Sequence, residues 1–127
     1  MHIDPAQQAG ALAVIDRLMQ EVKGIKAVVV STEDGFEIAS RTENTAQVAR
    51  LSAVASSLAA LGAVAGEESQ LGACDSIVVE AENGQIVMVQ ARGDVLDLIV
   101  SVVTGRDAII GQVLYFTKQA ALTLRKE

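Results

Sequence analysis

Hydrophobic positions fall into a clear order along this chain. The first pattern is helical. Leu12, Ile15, Met19 and Val22 recur at helix spacing with Val14 and Leu18 beside them, which predicts a helix over about Pro5 to Val22. Asp4-Pro5 supplies an N-cap followed by proline at the first helical position. Gly24 is a stop signal, with Lys23 complementing the helix dipole just before it.

The pattern then changes period. Ala27 to Val30 is a continuous run, mostly β-branched, as expected of a central strand covered on both faces. Glu33-Asp34-Gly35 reads as a hairpin turn, and Phe36 to Arg41 as the returning strand. A second, long helix is predicted from Asn44 or Thr45 to Glu68. Three strands follow: Ser76 to Glu82, then Gln85 to Ala91 across an Asn83-Gly84 turn, then Val95 to Val103 after Gly93-Asp94. A last helix is predicted over Arg106 to Leu124, with Ile109, Val113, Phe116 and Ala120 as its stripe and Ile110, Leu114 and Ala121 alongside.

This order implies one α/β (α+β) domain over residues 1–127: a mostly antiparallel five-stranded sheet in a three-layer sandwich. Strands apolar on both faces need helices on both sides. Half of the residues are hydrophobic but few are aromatic, so Val, Ile, Leu and Ala must build the core. The formal charge of -6 and the lack of a basic cluster argue against nucleic acid as a partner. One cysteine, Cys74, cannot form an internal disulfide and suits a reducing, cytoplasmic setting. Met1 to Gly10 does not read as a signal peptide. The uncharged stretch Leu51 to Gly66 is short for a bilayer span, so direct membrane insertion is not expected.

Catalytic chemistry is hard to assemble from these residues. The only histidine is His2, at the amino terminus, which disfavours Ser-His-Asp and Cys-His sites. Neither zinc-ligand spacing nor a phosphate-binding or dinucleotide glycine motif is present. Neither metal nor cofactor is therefore expected, and nor is enzymatic activity. Glu80 and Glu82 share one strand face and could in principle pair, but they read better as solvated charges on an edge strand. Glu67 and Glu68 read as the solvated end of the long helix. Cys74 reads as a packing thiol, and Arg50 and Arg92 as solvated or ion-paired groups rather than residues acting on a partner's phosphate.

The positive signal lies in the second helix, which carries no charge between Arg50 and Glu67. At about 100° per residue, Leu51, Val54, Leu58, Leu61 and Ala65 form one stripe, and Ala49, Ser52, Ser56, Ala59 and Ala63 the opposite one. The expectation is that the large stripe covers the chain's own sheet. The small stripe would then admit the close approach of a second subunit.

Several segments in sequence resemble the Roadblock / dynein light-chain family, including bacterial members that regulate Ras-like GTPases. They are Val22 to Val30 with Glu33-Asp34-Gly35, then Gly66-Glu67-Glu68 with Leu71-Gly72, then Val79 to Gly84, and finally the apolar fifth strand followed by Gly111. The resemblance spans about Leu12 to Leu124. Lys26 and Ala108-Ile109-Ile110 depart from the family pattern, which bears on partner specificity. The resemblance implies the second helix on one sheet face and both terminal helices on the other. It also implies a homodimer whose second helices pack together and whose third strands, carrying Ile77, Val79 and Ala81, meet edge to edge. The implied function is a non-catalytic signalling module that binds and modulates or scaffolds a small Ras-like GTPase. A small-molecule sensor or enzyme subunit on a profilin-like sandwich is the alternative, which a pocket with converging polar groups would favour.

Overall fold

The structure is a computed structural model and describes residues 4–93 and 96–125. His2 and the expected Gly93-Asp94 turn, with Val95 after it, lie wholly or partly outside the described residues. The elements run α1 (Pro5–Glu21), β1 (Ile25–Thr32), β2 (Glu37–Thr42), α2 (Ala46–Glu68), β3 (Ser76–Ala81), β4 (Gly84–Arg92), β5 (Asp97–Gly105) and α3 (Ile110–Arg125). The sheet is antiparallel throughout, in the order β2-β1-β5-β4-β3.

Local chemistry accounts for the element ends. The Asp4 carboxylate accepts from the Ala6 amide at 2.9 Å, satisfying one of the orphan donors at the start of α1. Gly24, at φ +87°, takes the left-handed turn that leads into β1, where a side chain would be strained. Thr45 at the N-cap of α2 makes no side-chain capping bond; Asn44 just before it accepts instead from the Ala46 amide, the first of the helix, at 3.1 Å. The last helix begins at Ile110 rather than Arg106, because Arg106 and Asp107 form a turn closed by the Ala108 amide on the Gly105 carbonyl. Ile109 therefore precedes the helix and is exposed, and the buried stripe of α3 is Val113, Thr117, Ala120, Ala121 and Leu124.

The two sheet faces are covered unequally. On one side α1 and α3 bury Ala11, Val14, Ile15, Leu18 and Val113 against Val28, Val30, Val87, Val100 and Val102. Met19, expected in the α1 stripe, is exposed instead. On the other side α2 alone covers a smaller cluster of Ala55, Ala59, Met88 and Ile99. The central pairing is β1 against β5, with Val28 opposite Val102 and Val30 opposite Val100. Alternation along these strands sends successive valines to opposite faces, which is why both are apolar without a break.

Candidate protein-protein interface

The inward face of α2 is its small face, which corrects the sequence expectation. Ser52 and Ala59 are buried in the chain's own α2–sheet layer. Ser56 is half-buried, and its hydroxyl donates to the Glu33 carbonyl of the β1–β2 turn at 2.5 Å. Only Ala49 and Ala63 of that stripe are exposed. The continuous inner row is Val48, Ser52, Ala55, Ala59, Gly62 and Gly66, at alternating spacings of about three and four residues.

Close approach is the physical reason. A Cβ at Gly62 would sit 2.8 Å from Cys74 Sγ and 3.1 Å from Ile77 Cδ1, and one at Gly66 would collide with the Gly72 carbonyl. The β1–β2 turn presses on the same helix, since a Cβ at Gly35 would meet Ser52 and Ser56 at 3.6 Å. Large side chains on this row would lift α2 off the sheet. A wheel defines two stripes but not which one faces inward. The sequence signal for the inward face is Gly62, inside the helix, where glycine costs about 1 kcal/mol relative to Ala unless packing requires it.

Of the large stripe, Val54, Leu61 and Ala65 point outward, Val54 being 45% and Leu61 64% exposed, while Leu51 and Leu58 are half-buried at the flank of the small cluster. Val64, outside that stripe, adds a further outward apolar side chain at 56% exposure. Over its 23 residues α2 is long and apolar enough to cross a membrane by length and composition, beyond what Leu51 to Gly66 alone indicated. Its inner row is nevertheless docked on the sheet, so one helix face is already committed to protein packing.

Beside this helix lies an open sheet edge. β3 pairs only with β4, leaving its other side unpaired. Ile77, Val79 and Ala81 alternate onto the α2 face of the sheet. Ile77 packs against the α2 cluster, whereas Val79 and Ala81 lie past the helix. They join Ile86 and Val103 in an open, mainly apolar depression of about 350 Å³, rimmed by Lys26 and Glu82. The opposite edge, β2, is better protected: Arg41 reaches Asp16 of α1 at 3.0 Å.

The other candidate groups stay apart. Glu80 and Glu82 are exposed. Cys74 is half-buried, with Sγ facing the Ser76 carbonyl at 3.5 Å. Arg50 is exposed and returns to the Ala46 carbonyl of its own helix, and Arg92 pairs with Asp75 at 2.8 Å. Among the described residues no group of three His, Cys, Asp or Glu side chains is placed to hold a metal ion. The enclosed space under α2 is only about 10 Å³, smaller than a ligand needs.

This architecture, one long helix against an open five-stranded antiparallel sheet backed by two terminal helices, defines a roadblock-type α/β module. The chain belongs to the family described as mitogen-activated protein kinase kinase 1 interacting, whose model matches residues 12–126. Among solved structures it is similar to a Roadblock/LC7 domain from Streptomyces avermitilis, with 22% identity, TM-score 0.81, and 90% of this chain and 93% of that one covered. It is also similar to MglB from Myxococcus xanthus, at 16% identity and TM-score 0.84, covering 99% of this chain and 92% of that one. The gliding protein MglB from Thermus thermophilus gives 17% identity and TM-score 0.84, covering 98% of this chain and 92% of that one. No curated protein sequence matches the chain.

Proposed function

We propose that this chain is a non-catalytic regulatory module of the cytoplasm that homodimerises and binds a small Ras-like GTPase. Two observations carry the dimer: Val54, Leu61 and Val64 leave an apolar row exposed on α2, and β3, which the second half of that helix reaches where Gly62 meets Ile77, has an unpaired edge. A two-fold axis near β3 would pair that edge with its own copy and extend the sheet. The same operation would bring the outer rows of two α2 helices together, and would set apolar side chains near the depression around Val79 and Ala81. The contact surface is thus the outer face of α2 with the β3 edge. The small stripe contributes only through its flanks, Ala49 and Ala63. One solved relative is described as MglB with tetrameric arrangement, which accords with assembly in this fold.

The GTPase reading rests on the resemblance to roadblock regulators. The sequence has no phosphate-binding loop of its own, so the nucleotide chemistry belongs to the partner. The module would act by ordering or scaffolding the partner's switch segments. The lone cysteine agrees with a reducing compartment.

Sedimentation of the purified chain should give a dimer, and Val64→Glu should give a folded monomer. Calorimetry should detect no GTP binding to the chain alone, and binding to a GTP-loaded Ras-like GTPase from the same organism. A monomeric wild-type chain, or tight GTP binding in the absence of a partner, would overturn this reading.

A further inference from the structure

Charge is unevenly distributed on this protein. The whole chain carries a formal -6, yet Arg92, Lys118 and Arg125 line one cleft of about 310 Å³ between the end of β4 and the second half of α3. Asp75 is the one carboxylate among the described lining residues. Leu122, 43% exposed, supplies the apolar surface between the cations, over a floor formed by the buried Val89 and Ala121.

The three cations are committed to different degrees. Arg92 is held in place: one Nη donates to the Asp75 carboxylate at 2.8 Å and the other to the Cys74 carbonyl. Arg125 donates its Nε to the Arg92 carbonyl at 2.9 Å, which anchors the guanidinium beside the cleft. Among the described residues no carboxylate lies within ion-pair distance of Lys118 or Arg125. Lys118, Leu122 and Arg125 are spaced four and three apart, so α3 presents a cation, an apolar group and a cation along one face.

We propose that this cleft binds an acidic segment of a partner protein. A carboxylate of the segment is placed between Lys118 and Arg125, and a neighbouring apolar side chain covers the exposed Leu122. Charge complementarity selects the occupant. An anchored guanidinium offers a planar fork suited to a carboxylate. A free inorganic anion would meet the cations but leave the apolar lining uncovered. A long polyanion would extend past the cleft onto the acidic remainder of the surface, because screening confines the cleft's attraction to about 8–10 Å. The cleft lies on the α1–α3 side of the sheet, away from α2, so it remains open whatever covers the outer row of that helix.

The test uses the full chain to select from a displayed library of random seven-residue peptides. An enriched peptide is then titrated by fluorescence anisotropy and by amide chemical shifts. Enriched peptides should combine Asp or Glu with Leu, Ile, Val or Met, and should shift the amides of Gln90, Lys118, Leu122 and Arg125. Affinity should fall with added salt. Lys118→Glu should weaken binding at least roughly tenfold, as charge reversal opposite a paired group does across interfaces. Lys118→Arg should retain binding. Lys118 is exposed, so both variants should melt as the wild type does. Enrichment of neutral or basic peptides, shifts elsewhere, or unchanged binding by Lys118→Glu would overturn the proposal. Saturable binding of inorganic phosphate or of a short DNA duplex at the same cleft would overturn it as well. None of these results depends on whether the chain dimerises or meets a GTPase.

Discussion

The same arginine placed two residues apart on α2 should have opposite consequences. Ala59 is 8% exposed and packs with Ala55, Met88 and Ile99, beside an enclosed space of only about 10 Å³. In Ala59→Arg the new side chain must either displace the helix or bury an unpaired cation. Overpacking costs about 1–3 kcal/mol, and an uncompensated buried charge adds several more, so at least about 3 kcal/mol of stability should be lost. For a domain of this size that corresponds to a fall in melting temperature of about 10 °C or more. Leu61 is 64% exposed, and Leu and Arg have similar helix propensity. Leu61→Arg should therefore leave the isolated protomer within about 0.5 kcal/mol of wild type. If the outer row is the dimer contact, Leu61→Arg should instead abolish the concentration dependence of the melt. Circular-dichroism melts at several protein concentrations, with sedimentation on the same samples, separate the two effects. Should Ala59→Arg melt within a degree or two of wild type, the small face cannot be the one packed on the sheet, and the corrected orientation of α2 fails.

Two further substitutions probe the same layer from the sheet side and from the helix. Gly35 sits at φ +93° in the β1–β2 turn with α2 atoms 3.6 Å from its missing Cβ. Gly35→Ala should thus lower stability by more than about 1 kcal/mol in a denaturant titration, because the left-handed conformation is strained for alanine. The Ser52 hydroxyl is buried under α2 and has no hydrogen-bond partner among the described residues. Ser52→Ala should leave stability unchanged or raise it by up to about 1 kcal/mol, since it removes an unpaired polar group and improves helix propensity; a marked drop would show that the hydroxyl is paired.

Local signals are legible in the chain. Asp4-Pro5 starts α1, and Gly24 turns the chain into β1. The β3–β4 hairpin falls where Asn83-Gly84 predicts it, but the turn residues are Glu82 and Asn83: Gly84 already pairs with Ala81 as the first residue of β4, and a Cβ there would collide with the Thr104 carbonyl of β5. The start of α1 and the Gly24 turn depend on a few adjacent residues, whose sterics and hydrogen bonds act over one or two turns of backbone. The unbroken apolar runs in β1 and β5 also revealed that the sheet is covered on both faces, because burial on each side removes the alternation.

Decisions that compare distant surfaces needed the tertiary structure. The pairing of β1 with β5, far apart in the chain, left β2 and β3 as the two edges; the hairpin turns alone specify neighbours within each hairpin, not which hairpins join. The sequence determined that α2 has a large stripe and a small one. It did not determine that the small stripe faces the sheet, because hydrophobicity ranks Leu61 above Ala59 for burial while the space between helix and sheet admits only the smaller residue. Spacing also hid the cationic cleft, since Arg92 and Lys118 meet only when α3 returns across the end of β4. Side-chain identity sets what each residue can do, but the separation between packed layers decides which residues are allowed inside and which are left to meet another molecule.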